Sequence, residues 1–341
     1  KSMTLVKTEE AVGHVLCHDM TQIIPGVSKD ARFRKGHIVT EEDIPVLLSM
    51  GKQHLYVWEK TEGILHEDEA AEILFSICHG ENTCKKAAQK EGKIELLAAC
   101  DGLFRINREK LLAVNALGEM MIATRGGEVA VKKGDLLAAT RIIPLVIEAE
   151  KMEAARRAAG EEPLLSVLPF GRKKVGIITT GSEVFTGRIQ DAFGPAVRAK
   201  LARYDAEVLG QTILDDQPGP IAAQINAYID QGADMILCTG GMSVDPDDTT
   251  PTAIQASGAE IISYGAPVLP GAMFLLAYRG EVPIMGLPGC VMYAKQTVFD
   301  LVLPRVMAGE KLSRADLAQY GEGGLCLNCP VCTFPNCGFG K

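Results

Sequence analysis

Between Lys174 and Val306, short apolar runs of strand length alternate with segments of helical spacing, and that alternation constrains the fold more than any other feature. Lys174–Thr180, Ala206–Leu214, Met235–Cys238, Glu260–Tyr264, Met273–Ala277 and Val282–Gly286 read as strands. Ala196–Arg203, Pro218–Gln231 and Thr250–Ala256 read as helices, and Met292–Val306 as a closing helix that Pro304 kinks or ends. Ile221, Ile225 and Ile229 share one helical face. Strands this apolar, alternating with helices of this length, predict a parallel sheet covered on both faces. The loops leaving the carboxyl ends of such strands lie along one edge, where ligands bind.

Three glycine-bearing segments fall at those strand ends: Thr179-Thr180-Gly181-Ser182-Glu183, Thr239-Gly240-Gly241-Met242-Ser243 running on to Asp248, and Gly286-Leu287-Pro288-Gly289. Glycine lets backbone N–H groups approach a phosphate closely, and a following helix points its positive end at the same place. Asp215-Asp216 follows another strand. Two adjacent acids before Pro218 favour a helix dipole, or supply a Mg²⁺ ligand, since Mg²⁺ takes one or two carboxylates beside water and phosphate oxygens. All six histidines lie before residue 80, so acid–base or metal chemistry in the second half rests on carboxylates, hydroxyls, lysines or thiols.

The first half is less regular. Val12–Leu16 and His54–Trp58 read as strands flanking a helix from Ile44 to Leu48, with Thr40 and Asp43 as a capping box and Gly51 as its stop. Helices are expected over Glu67–Cys78 and around Cys84–Gln89, then strands at Ile94–Leu97, Leu103–Ile106, Glu128–Val131 and Leu136–Ala139. A charged helix follows near Glu148–Arg157, and Gly160–Arg172 reads as a linker. The boundaries drawn are a β-containing region 1–62, an α+β module 63–145, a helical linker 146–172, the α/β domain 173–310 and a cysteine-rich tail 320–341.

The order Thr-Gly-Ser-Glu, Asp-Asp, Thr-Gly-Gly-x-Ser leading to Asp, then Pro270-Gly271 and Gly-Leu-Pro-Gly resembles the molybdopterin-binding domain of molybdenum-cofactor biosynthesis proteins. That domain is shared by molybdopterin adenylyltransferase and molybdotransferase, and the resemblance covers about residues 173–308. It implies a three-layer αβα domain beside the smaller N-terminal modules. It also implies catalytic roles for Asp248, Glu183 and Asp216, with Asp215, Asp216 and Asp248 holding Mg²⁺. Thr180, Gly181, Ser182, Asp191, Thr239, Gly240, Gly241, Ser243, Pro288 and Gly289 would hold molybdopterin or the molybdenum cofactor, with ATP or AMP as the nucleotide. The reaction class implied is Mg²⁺-dependent nucleotidyl or molybdate transfer; the alternative is a non-catalytic carrier, insertion chaperone or sensor. Three departures bear on that choice. Ala272 stands where molybdotransferases carry lysine, and Cys290-Val291 follows Gly289 in place of Asn-Pro. Phe193 occupies an asparagine position.

Four of the ten cysteines crowd the tail as Cys326-x2-Cys329-x2-Cys332-x4-Cys337. That spacing is close to but not identical with a ferredoxin-type run, so an iron–sulfur cluster or zinc is expected, the spacing favouring the cluster slightly, with a redox-active or free-thiol tail as the alternative. A net charge of −8 argues against a general nucleic-acid binder, and no apolar run reaches the ~18–20 residues of a membrane span. Lys1-Ser2 reads as a non-native start ahead of Met3 rather than as a signal peptide. The expected setting is the cytoplasm, the expected assembly a homo-oligomer, and a molybdenum enzyme a further partner.

Overall fold

The computed structural model describes residues 3–26, 28–58, 63–87, 92–243, 245 and 247–341. Along the chain come β1 (Thr4–Lys7), β2 (Met20–Ile24), β3 (Ser28–Phe33), α1 (Asp43–Ser49), β4 (His54–Val57), β5 (Ile64–His66) and α2 (Glu67–Cys78). Next are β6 (Thr83–Lys85), β7 (Ile94–Ala98), β8 (Gly102–Ile106), α3 (Arg108–Asn115), β9 (Met120–Thr124), β10 (Val129–Val131), β11 (Leu136–Ile142), β12 (Val146–Glu148) and α4 (Ala149–Ala159). The remainder is β13 (Leu165–Pro169), β14 (Lys174–Thr180), α5 (Ser182–Phe185), α6 (Phe193–Ala202), β15 (Glu207–Leu214), α7 (Pro218–Asp230), β16 (Met235–Thr239), α8 (Thr249–Ala256), β17 (Glu260–Tyr264), β18 (Leu275–Arg279), β19 (Val282–Leu287), α9 (Val298–Met307) and α10 (Arg314–Ala318).

Two compact units result. The first holds residues 1–100, 106–125 and 133–167; the second holds 101–105, 126–132 and 168–341. In the first unit, β6, β7, β11 and β9 form an antiparallel sheet in that order, and β1 pairs with β4. The Asp43 carboxylate accepts the Thr40 N–H at 2.8 Å, and Gly51 follows α1 with a φ of 76°. Three readings change in this unit. Val12–Leu16 makes only isolated bridges, Val15 to Ile38 and Leu16 to Val57. The stretch read as a helix from Cys84 begins as β6, paired with β7; its end at Gln89 lies outside the described residues. Helix α3 and strand β9 add to the elements expected.

The second unit is built on a six-stranded sheet in the order β15-β14-β16-β19-β18-β17. Strands β15, β14, β16 and β19 run parallel, whereas β18 is antiparallel to both of its neighbours. Alternation along each strand sends side chains to opposite faces. Val175, Ile177, Met235, Leu237, Met285 and Leu287 pack on one face with Val197 and Leu201 of α6 and Val298, Phe299 and Val302 of α9. Ile178, Ile236, Cys238 and Ile284 pack on the other with Ile221 and Ile225 of α7 and Ala253 and Ile254 of α8. Each fully buried aliphatic side chain is worth roughly 1.5–3 kcal/mol, so both helical layers are held by the strands between them. This is a three-layer αβα domain with a mostly parallel sheet.

Two details differ from the sequence reading of this unit. The segment read as a linker, 160–172, contains β13. The closing helix is broken: a 3-10 turn spans Gly289–Met292, and α9 starts only at Val298. Pro304 sits inside α9, buried, and the helix continues to Met307.

Candidate ligand site at the sheet edge

Register places the strand ends side by side. Thr180 pairs with Leu214, Thr179 with Thr239, and Thr239 with Leu287, so the loops after β14, β15, β16 and β19 leave from one edge. Buried hydroxyls tie the strand ends together. Thr239 Oγ1 donates to Thr179 Oγ1 at 3.0 Å, and Thr180 Oγ1 donates to the Thr239 carbonyl at 3.3 Å. Thr250 Oγ1 donates to the Gly240 carbonyl at 2.7 Å and pins the loop to the first turn of α8.

The two loop glycines are required by space as well as conformation. Gly240 has a φ of 88°, and a Cβ there would stand 2.2 Å from the Thr180 carbonyl oxygen. Gly241 has a φ of 60°, and its Cβ would meet Thr250 Oγ1 at 2.7 Å. Only glycine lets the loop after β16 lie against the end of β14.

The acidic residues are arranged as follows. The Ser182 N–H donates to Asp216 Oδ2 at 3.3 Å, linking the loops after β14 and β15. Asp215 Oδ1 accepts the Asp216 N–H at 2.9 Å. Asp248 closes its own loop: Oδ2 accepts from the Ser243 N–H at 2.7 Å and from Ser243 Oγ at 2.9 Å. Glu183 is exposed in the short helix α5, on the loop that abuts Gly240. Val244 and Pro246, within the acidic stretch, lie outside the described residues.

Asp191 is placed differently from a free ligand group. Its carboxylate accepts the N–H groups of Phe193 and Gly194 at 2.9 and 3.1 Å, capping the start of α6, and accepts from Gln211 Nε2 at 2.7 Å. Gln211 also donates to Thr179 Oγ1 at 2.9 Å, so the pair anchors the loop to the sheet. Pro288 and Gly289 sit at the same edge but do not open a long helix. The amino end of α9 is closed by its own side chains, with Thr297 and Asp300 forming a capping box. The expectation of a free helix terminus behind Gly289 is thereby corrected.

Three contributors were not signalled by the sequence. Gln211 is a polar residue inside a strand, and Thr250 looks like an ordinary helix residue. Tyr264 donates its hydroxyl to the Ser243 carbonyl at 2.8 Å. Its phenol is pushed up, first by burial and then by the nearby Asp248 charge. At the positions of the sequence departures, Cys290 is half-buried with its thiol raised chiefly by burial, and Phe193 is buried in the core.

Among the described residues, the group of three ligating side chains with atoms within 4.8 Å of one another is His66, Glu67 and Asp68 in the first unit. Asp215, Asp216 and Asp248 do not converge that closely. Nor do Cys326, Cys329, Cys332 and Cys337, whose thiols are all free.

A family model described as a probable molybdopterin binding domain matches residues 176–308, and a domain of unknown function (DUF8806) matches residues 5–59. A CinA-like protein of Mycobacterium avium (strain 104) is 39% identical over 90 residues, covering 26% of this chain and 21% of that protein. A CinA-like protein of Mycolicibacterium gilvum (strain PYR-GCK) is 40% identical over 77 residues, covering 23% and 18%. The chain thus spans about a fifth of the length of these relatives. The crystal structure of the molybdopterin biosynthesis enzyme MoaB from Thermus thermophilus is 26% identical, covering 40% of this chain and 98% of that one, with a TM-score of 0.34. Residues 176–308 thus match, as one segment of the chain, the family described as a probable molybdopterin binding domain.

Proposed function

We propose that the loops after β14, β15, β16 and β19 bind molybdopterin together with a nucleotide, and that the protein performs Mg²⁺-dependent nucleotidyl or molybdate transfer on the pterin. The observation that carries this reading is the linkage of loops from separate strands: Ser182 to Asp216, and Gly240 against Thr180. Binding an anionic pterin across these loops uses backbone amides at Gly181, Gly240 and Gly241 with the hydroxyls of Ser182 and Ser243. Gln211 and Asp191 hold the loop after α5 in place, and Tyr264 holds Ser243.

Asp216 and Asp248 offer the oxygen donors a hard divalent cation takes, although with Asp215 they do not form a trio within 4.8 Å. Asp216 is exposed and Asp248 half-buried, so Mg²⁺ would take one or two carboxylates and fill its remaining positions from water and phosphate oxygens. Once bound, the ion supplies charge neutralisation for a phosphoryl group under attack. Glu183, exposed on the neighbouring loop, would accept a proton from an attacking group or orient water.

A carrier role is the second reading. It is favoured by Ala272, Cys290 and Phe193, which bring no ammonium or amide to positions where the family's molybdotransferases use them. Incubation with molybdopterin, ATP and Mg²⁺ tests both. Pyrophosphate release with adenylylated pterin supports transfer, binding without turnover supports the carrier, and absence of binding contradicts both.

A further inference from the structure

The C-terminal tail is an ordered part of the second unit. Cys326 donates its N–H to the Leu269 carbonyl at 2.8 Å, and Leu325 bridges Leu269 in parallel. Phe339 is buried in the core, with Phe334 and the half-buried Cys326 and Cys337 packed against that same cluster. The Gly340 N–H donates to the Gly323 carbonyl at 2.8 Å, and Lys341 Nζ reaches the Cys337 carbonyl at 2.6 Å. The first and last cysteines are thus fixed on the core, while Cys329 and Cys332 project into solvent. Between Cys326 and Cys329 the chain turns through Asn328, which has a φ of 50°, a left-handed value that asparagine tolerates. Gln296 Nε2 lies 3.6 Å from Cys332 Sγ and donates toward it.

Four thiols within twelve residues of one folded segment, the first three separated by two residues each, make a ligand pattern close to that of iron–sulfur proteins. In a cubane cluster each thiolate binds a different iron, so the sulfurs stand at separated corners. An N–H aimed at a ligating sulfur, as from Gln296, is the contact that tunes such clusters.

We propose that Cys326, Cys329, Cys332 and Cys337 bind a [4Fe–4S] cluster, a site distinct from and independent of the sheet-edge reading. Two ferrous and two ferric ions, four sulfides and four cysteine thiols combine, the thiols releasing four protons and each forming one S–Fe bond. No electron is transferred in assembly from that mixture.

The test is anaerobic purification of the full chain, or reconstitution with equal ferrous and ferric iron plus sulfide, followed by metal and acid-labile sulfide analysis. The expected result is about four iron and four sulfide per chain, with a broad visible charge-transfer band. Cys329→Ser, at an exposed position, should lose the band with unchanged circular dichroism, whereas Cys84→Ser should keep it. Gln296→Leu should keep the cluster but make its reduction potential more negative. Zinc in place of iron, no bound metal, or full iron content in Cys329→Ser would each overturn the assignment.

Discussion

Two charged regions of the second unit use the same residue types for opposite ends. At the sheet edge, Glu183, Asp216 and Asp245 are exposed, and Asp248 is held by a neighbouring serine rather than by a cation. Away from that edge, Arg305 is buried among acidic and phenolic partners. Its Nε lies 3.0 Å from Glu310 and 3.4 Å from Glu128, and its Nη1 donates to the Tyr320 hydroxyl at 3.2 Å. Arg105 of β8 adds a contact to Glu310 at 2.6 Å. The buried cluster spends its charge on itself and fixes the paired strands β8 and β10 to α9. The edge leaves negative charge available to a ligand. Pairing and burial, rather than acid content, separate scaffold from site.

The sharpest way to break that contrast is Arg305→Met. Removing the cation takes the Arg305 contact from Glu128 and leaves Glu310 with Arg105, and a loss of about 3–5 kcal/mol is expected in denaturant unfolding. A loss below about 1 kcal/mol would show that the cluster is not structural. Gly240→Ala comes next. With its Cβ driven against the Thr180 carbonyl and a positive φ, it should cost on the order of 2–3 kcal/mol and loosen the loop, read as a lower melting temperature. Asp248→Asn should behave in the opposite sense. Stability should stay within about 1 kcal/mol of the parent, while affinity for molybdopterin with Mg²⁺ falls at least about tenfold by titration calorimetry.

The smallest effect concerns pH. Burial first, then the hydrogen bond and charge of Glu310, pushes the Glu128 carboxyl up to about 7. The folded chain therefore holds a proton that the unfolded chain has released between about 4.5 and about 7. Its stabilising contribution is present below that window and lost as pH rises through it. Burial pulls the Glu310 carboxyl up, but the hydrogen bond with Glu128 and then the Arg305 and Arg105 cations hold it low, so its own change falls below the window. Glu128→Gln should flatten the decline and be the more stable form at pH 8 by roughly 1 kcal/mol. Melting curves across that range check it, and an unchanged slope would refute the assignment.

What the sequence made legible follows from burial. Strand β14 matches the expected Lys174–Thr180 because a strand covered on both faces reads as an unbroken apolar run. Helix α2 matches Glu67–Cys78 because its buried Ala70, Ala71, Leu74, Ile77 and Cys78 recur at helical spacing. Helix α3 was hidden because Leu112 is 70% exposed, which blurs its apolar stripe. The reversed direction of β18 left no trace, since apolar content carries no sense of direction. At the site, glycines and acids stood out by type. Gln211, Thr250 and Tyr264 did not, because their contributions are hydrogen bonds to residues 10 to 32 positions away.

The central claim is that carboxylates and amides from different strand ends act on one anionic pterin. Anaerobic titration of molybdopterin into the protein, with and without Mg²⁺, tests it most directly when repeated with Asp216→Asn and Asp248→Asn. Saturable binding strengthened by Mg²⁺ and weakened in both variants is the predicted result. Binding that is absent, or equally tight in both variants, would contradict it.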